Sequence, residues 1–201
     1  GVPGTGVRFD PGPGSVQAQH GSVQAAHAFL NSLFCATNER SFAPQSITPM
    51  NMELFVLGTG GMMPLPQRGL TSVLLRREGE LFLFDCGEGT QVSLRRLALR
   101  WKKISVILVS HTHADHVTGI PGILMLSSQV ERDEPLYIIG PPRIREYVEA
   151  SRRILDMYIN YEIVVKEITG EETVFEGEGY RLRTRPLRHT KPCLAYCLEE
   201  E

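Results

Sequence analysis

The chain predicts an α/β fold, on three observations. From about residue 50 onward, short apolar runs closed by Gly or Pro alternate with segments whose apolar residues recur at helical spacing. One run, 104–109, is apolar at nearly every position, as a central strand covered on both faces must be. Directly after it, His111, Thr112, His113, Ala114, Asp115 and His116 place four metal-ligand side chains in six residues. A metal site is the leading reading of that cluster.

The elements follow in order. Residues 1–49 are rich in Gly, Pro, Ser, Gln and Ala, show no strand alternation, and are expected to be a disordered or extraneous leader. Within them, Ala26, Leu30 and Phe34 at i, i+4 and i+8 allow a short helix over 23–34. The folded domain is expected over 50–201. Strands are predicted at 53–57, 72–76 and 81–84, with Gly58-Thr59-Gly60-Gly61 as a tight turn. A helix over 90–100, the central strand 104–109, a helix over 120–130 opened by Gly119 and Pro121, and a strand at 136–139 closed by Gly140-Pro141-Pro142 come next. Ile144, Tyr147, Val148, Ser151, Leu155 and Tyr158 recur at helical spacing and leave Arg145, Glu149, Arg152 and Arg153 on the wet side, so a longer helix follows. Strands at 161–168, 180–187 and 194–198 complete the chain, with Gly170, Gly177 and Gly179 between the first two. No internal repeat is visible.

Composition limits the function classes. With 201 residues, 42% of them apolar and few aromatic, the chain is a globular protein of one or two domains. A formal charge of -2 gives no global attraction to nucleic acid, so any polyanion contact must be local. Cys35, Cys86, Cys193 and Cys197 are too widely spaced for a double Cys-x-x-Cys zinc pattern or a dense disulfide framework, and reduced thiols in a cytoplasmic setting are expected. No stretch approaches the roughly 18 uninterrupted apolar residues of a membrane span. The mildly apolar segment 25–36 lacks a basic stretch before it, so no signal peptide is expected.

The His cluster sets the chemistry. Positions i and i+2 of a continuous helix point to different sides, so His111 and His113 must share a metal from a loop or strand end. Imidazole and carboxylate suit zinc, and this cluster has enough donors to begin two adjacent metal positions. Two ions about 3.5–4 Å apart can hold an attacking oxygen and a leaving oxygen in one displacement. A catalytic zinc commonly takes three protein ligands; His189, after the strand 180–187, is the one other His in the expected domain and the candidate for the third. Asp115 and His116 would then serve the second ion, and Asp115 could also take a proton from the attacking water. Asp85 ends a predicted strand beneath the loop, either as an ordinary turn residue or as an acceptor that holds the ligand loop.

Other motifs carry less. Gly58-Thr59-Gly60-Gly61 lacks the following Lys and Ser or Thr of a phosphate loop, so a tight turn is the better reading. Arg181, Arg183 and Arg185 alternate along a strand and project to one face, extended by Arg188 and Lys191; the stretch is either a solvated face or an RNA phosphate contact. Arg95, Arg96, Arg100, Lys102 and Lys103 near a helix end are explained by the helix dipole. Cys86 and Cys193 read as buried, isolated cysteines.

These residues resemble the metallo-β-lactamase superfamily, whose shared pattern is His-x-His-x-Asp-His after a buried strand, and within it the ribonuclease Z family. The resemblance rests on Leu57-Gly58-Thr59-Gly60-Gly61 with Pro64 and Arg68, and on Asp85-Cys86-Gly87-Glu88-Gly89-Thr90-Gln91. It rests further on Ser110 through His116, Gly119-Ile120-Pro121-Gly122-Ile123-Leu124, Gly140-Pro141, and His189 ahead of Tyr196. It implies an αββα sandwich of which this chain carries mainly the N-terminal half, incomplete at the C-terminus. It also implies a cytoplasmic, homodimeric, zinc-dependent endoribonuclease that removes the 3′ trailer from precursor transfer RNA by attack of metal-activated water on a phosphodiester. By the same resemblance, His111, His113 and His189 hold one zinc, Asp115 and His116 contribute to the other, and Asp115 is the proton acceptor. Of the complete enzyme's two zinc positions, one full three-His site is expected here, and the inner sheet face is expected to lack its partner layer. Departures are Gly69 for Asn, Thr112 and Ala114 for Leu and Gly, and Ala195 for Gly.

Two other readings fit parts of the same sequence. Another hydrolase of the superfamily, such as a phosphodiesterase or an arylsulfatase-like enzyme, would use the same metal chemistry and would act on small esters. A non-catalytic zinc- or RNA-binding module would show salt-sensitive RNA binding that survives removal of His111 and His113.

Overall fold

A computed structural model describes residues 51–130 and 132–201. The expected leader 1–49 and its possible helix lie outside the described residues. Among the described residues, ten strands form two sheets, of seven and three strands. The first half of the large sheet holds β1 (Met52–Gly60), the short β2 (Gly69–Leu70) parallel to it at the edge, and β3 (Ser72–Arg77) and β4 (Glu80–Phe84), which continue antiparallel on its other side. Helix α1 (Thr90–Arg96), a 3₁₀ turn at Trp101–Lys103, β5 (Ile104–Leu108), α2 (Ala114–Val117), α3 (Ile120–Gln129), β6 (Leu136–Gly140), α4 (Ile144–Ile154) and β7 (Ile163–Glu167) complete that layer. The order across the sheet is β2-β1-β3-β4-β5-β6-β7, with β4 to β7 parallel. Strands β8 (Glu172–Gly177), β9 (Tyr180–Leu187) and β10 (Cys193–Glu200) form the antiparallel second sheet.

Alternation along the strands builds two cores, one on each face of the large sheet. Leu74, Leu81, Leu83, Ile107 and Val109 point to the helices, where Leu94, Ile120, Ile123, Leu124 and Val148 cover them. Val73, Leu75, Phe82, Phe84, Val106 and Leu108 point the other way, against Val174, Tyr180, Leu182, Leu194 and Tyr196 of the small sheet. Both faces of β5 are therefore buried, which is why 104–109 reads as a nearly continuous apolar run. The layers stack as helices, large sheet, small sheet. The large sheet's inner face thus has a partner layer, contrary to expectation: β8 to β10 supply it.

Several boundaries differ from the sequence reading. The helix expected over 90–100 stops at Arg96, because Ala98 turns into the left-handed region (φ 52) and the chain restarts as the 3₁₀ turn. The helix begun at Ile144 ends at Ile154, so Leu155 and Tyr158 fall beyond its apolar face and lie exposed. Strand β8 and the single turn of α2 were not anticipated, and β10 runs from Cys193 to Glu200 rather than over 194–198. Among the described residues no helix is long and apolar enough to cross a membrane.

Candidate metal centre

The site forms where the two sheets meet, at the C-terminal end of β5. The segment after that strand carries Ser110, His111, Thr112 and His113, bending at Ser110 and extended at His113, and α2 then turns Asp115 and His116 back beside them. The β9–β10 hairpin brings His189 from the other sheet. One ligand atom each of His111, His113 and His189 lies within 4.8 Å of the other two, and His113 Nδ1 faces His189 Nε2 at 3.3 Å. His111 is buried, His113 half-buried and His189 exposed, so the cluster opens to solvent on one side. A cavity of about 210 Å³ adjoins it, lined by His111, His116 and His189 with Cys193, Leu194 and Tyr196.

Asp85 organises the cluster from behind. Its carboxylate is fully buried and accepts from Ser110 N (2.7 Å), Ser110 Oγ (2.8 Å) and His116 Nδ1 (2.7 Å). An ionised carboxylate only accepts, so Ser110 Oγ–H and His116 Nδ1–H are the donors. Ser110 Oγ, whose hydrogen is directed at Asp85, accepts in turn from His111 Nδ1–H at 2.9 Å. Both rings are thereby fixed in the tautomer that leaves Nε2 bare for a cation. Burial pushes the His111 imidazole down to about 3, helped by the neighbouring His116, His189 and His113, so the ring stays neutral. Burial would also lower His116, but its bond to Asp85 and the charges of Asp85 and Asp115 prevail and raise it.

Asp115 is half-buried next to His116. Its Oδ2 lies 3.8 Å from His116 Nε2 and accepts weakly from Met62 N at 3.3 Å, in the loop after β1. The tight turn expected at Gly58-Thr59-Gly60-Gly61 is instead the end of β1, where Gly58 and Gly60 pair with Gly69 and Leu70, and the loop that follows carries Met62 N to the site. Gly87 and Gly119 are needed for a close approach beneath α2. A Cβ at Gly87 would stand 2.4 Å from Asp115 O, and one at Gly119 would stand 2.2 Å from Gly87 O. That approach lets Cys86 N donate to His116 O and Gly119 N to Cys86 O, each at 2.8 Å.

The structure therefore brings His111, His113, His116, His189, Asp115 and Asp85 together. It leaves Arg181, Arg183 and Arg185 on the outer face of the small sheet. There Arg181 and Arg183 pair with Glu199, and Arg183 and Arg185 with Glu171. Much of that basic row is neutralised by its own neighbours. Cys86 is buried beside Thr90, which fits its structural reading. Ser110 and the Met62 amide had no assigned role in the sequence reading. Ser110 was visible as the hydroxyl residue before the first His; the Met62 contact is a long-range backbone event with no local signal.

Layered helices and two sheets with ligands at the sheet junction define the class: this is the metallo-β-lactamase fold. A metallo-β-lactamase fold protein of Bacillus subtilis superposes with a TM-score of 0.58 at 19% identity, over 74% of this chain and 57% of that one. The chain belongs to the family described as anti-Pycsar protein Apyc1, whose model matches residues 52–196. It is also similar to ribonuclease Z of Treponema pallidum, 72% identical over 152 residues that make up 76% of this chain and 49% of that protein. The short form of human tRNase Z superposes with a TM-score of 0.68 at 30% identity, over 74% of this chain and 64% of that one. The chain spans about half the length of the curated relatives it matches.

Proposed function

We propose that this chain is the N-terminal, ligand-bearing part (residues 50–201) of a zinc-dependent endoribonuclease that removes the 3′ trailer from precursor transfer RNA. The observation that carries this is the convergence of His111, His113 and His189 in a chain 72% identical to ribonuclease Z over the matched residues. Zinc is the favoured ion. Two nitrogens held tetrahedrally at about 2.0–2.1 Å from zinc stand about 3.3 Å apart, the separation of His113 Nδ1 from His189 Nε2 (3.3 Å). A bound divalent ion supplies an activated water and polarises phosphoryl oxygens. His111, His113 and His189 would hold one such ion; Asp115 and His116 would contribute to a second. Asp115, whose Oδ2 lies 3.8 Å from His116 Nε2, is suited to take the proton of the attacking water. Asp85 holds the ligand loop through Ser110 and His116. Arg181, Arg183 and Arg185 are the proposed phosphate contacts, with Arg185 the most exposed of the three. A cytoplasmic location and a homodimeric complete enzyme accompany this reading.

The 201-residue chain is expected to take up about one tightly held zinc, because the second position has only Asp115 and His116 among the described residues, and to leave precursor transfer RNA intact. Equilibrium dialysis followed by metal analysis, with an RNA cleavage assay beside it, checks this. Two tightly held ions together with trailer removal would overturn it. A second reading keeps the same three-imidazole site for a phosphodiesterase or arylsulfatase-like hydrolase of small esters, since a divalent ion held there would activate water toward either kind of substrate. A complete homologous chain that hydrolyses only small phosphodiesters would decide for that alternative.

A further inference from the structure

The three imidazoles come from different sheets, so something must hold the hairpin carrying His189 in register with the segment carrying His111 and His113. Three hydrogen bonds do so, each ending on a backbone carbonyl beside those ligands. Tyr196 Oη donates to Val109 O at 2.8 Å, Leu194 N to Ser110 O at 2.9 Å, and Lys191 Nζ to Thr112 O at 3.0 Å. The donors run 196, 194, 191 as the acceptors run 109, 110, 112, so the hairpin arm lies antiparallel along the ligand segment. Tyr196 Oη also lies 3.2 Å from Ile139 O, the carbonyl that accepts Val109 N at 2.7 Å. The tyrosine thus grips the ends of β5 and β6 together. Its ring is buried against Phe84 in the inter-sheet core, whereas the bond from Lys191 is at the surface.

We propose that Tyr196 and Lys191 are positioning residues for the metal centre. Their bonds to the Val109 and Thr112 carbonyls set the distance from His189 to the His111–His113 pair, and with it the affinity and geometry of the bound ion. This rests on the metal-centre reading above. The sign of the Lys191 effect separates positioning from electrostatics. Removing a cation beside a dication site would by itself tighten metal binding, so weaker binding on its removal points to the lost hydrogen bond and not to the lost charge.

The test uses the 201-residue chain with Tyr196→Phe, Lys191→Met and Lys191→Arg. Zinc affinity is measured by competition with a chromogenic chelator, geometry by the visible spectrum of the cobalt(II)-loaded chain, and integrity by the melting temperature without metal. Each hydrogen bond contributes about 1 kcal/mol, so a five- to tenfold loss of affinity is expected for Tyr196→Phe and for Lys191→Met. The cobalt bands should shift in both. Lys191→Met should melt as the parent does without metal, and Lys191→Arg, which keeps a donor, should recover most of the affinity. A parent chain that binds zinc while both variants bind within twofold and keep the parent cobalt spectrum overturns the positioning role and leaves the metal centre standing. A parent chain that takes up neither ion removes the metal centre and this proposal with it. Should Tyr196→Phe melt far below the parent, Lys191→Met decides alone.

Discussion

Asp85 does more for this fold than its place in a turn requires. It adopts the left-handed region (φ 54), tolerable for Asp but costly for most residues, and its carboxylate is fully buried with three donors. Asp85→Asn keeps the shape but replaces one acceptor oxygen with a donor that faces Ser110 or His116. We expect a loss of about 1–3 kcal/mol in urea unfolding and a 10- to 100-fold weaker hold on zinc in chelator competition; unchanged affinity would remove Asp85 from the site. The adjacent Cys86 responds to pH instead. Burial pushes its thiol from 9.0 up to about 12, and burial likewise raises the Tyr196 hydroxyl well above its ordinary value. Between those limits the unfolded chain has lost protons that the folded chain retains, so stability must fall as pH rises above about 9. Cys86→Ala should flatten that alkaline decline in thermal melts. At pH 8 Cys86 should resist alkylation that reaches Cys197.

Element boundaries follow from backbone contacts that a local reading cannot weigh. Gly119 opens α3, and a methyl group there would press on Gly87 O and Cys86 O, both backbone atoms that cannot turn aside. Gly119→Ala is therefore expected to cost about 1–3 kcal/mol or more and to displace α2 with its two ligands; a melting temperature equal to the parent's would contradict this. The strands that bury both faces, and the metal-ligand run after β5, were legible because continuous apolarity and ligand spacing are local signals. Strand β8 was not: Thr173, Val174 and Phe175 lie between acidic residues and glycines, and only Val174 is buried. The pairing that makes it a strand comes from β9, through Thr173 opposite Arg183 and Gly177 opposite Tyr180. The three-point seam between the hairpin arm and the ligand segment escaped for the same reason, since residues 109 and 196 are neighbours only once the sheets have stacked. The arginine row shows the opposite case. Its shared face was legible by period two, but Glu171 and Glu199, which neutralise much of it, are apparent only from strand register.

At the scale of the whole molecule, the two sheets share an apolar core, but among the described residues no β-ladder pairs them directly. His111 and His113 belong to one layer and His189 to the other. Any ion held by all three is consequently a cross-link that closes a loop of nearly eighty residues, comparable in topology to a disulfide between layers. Stripping the ion should leave the helix-backed sheet intact and first release β9 and β10, where amide exchange would quicken while β4 and β5 stay protected.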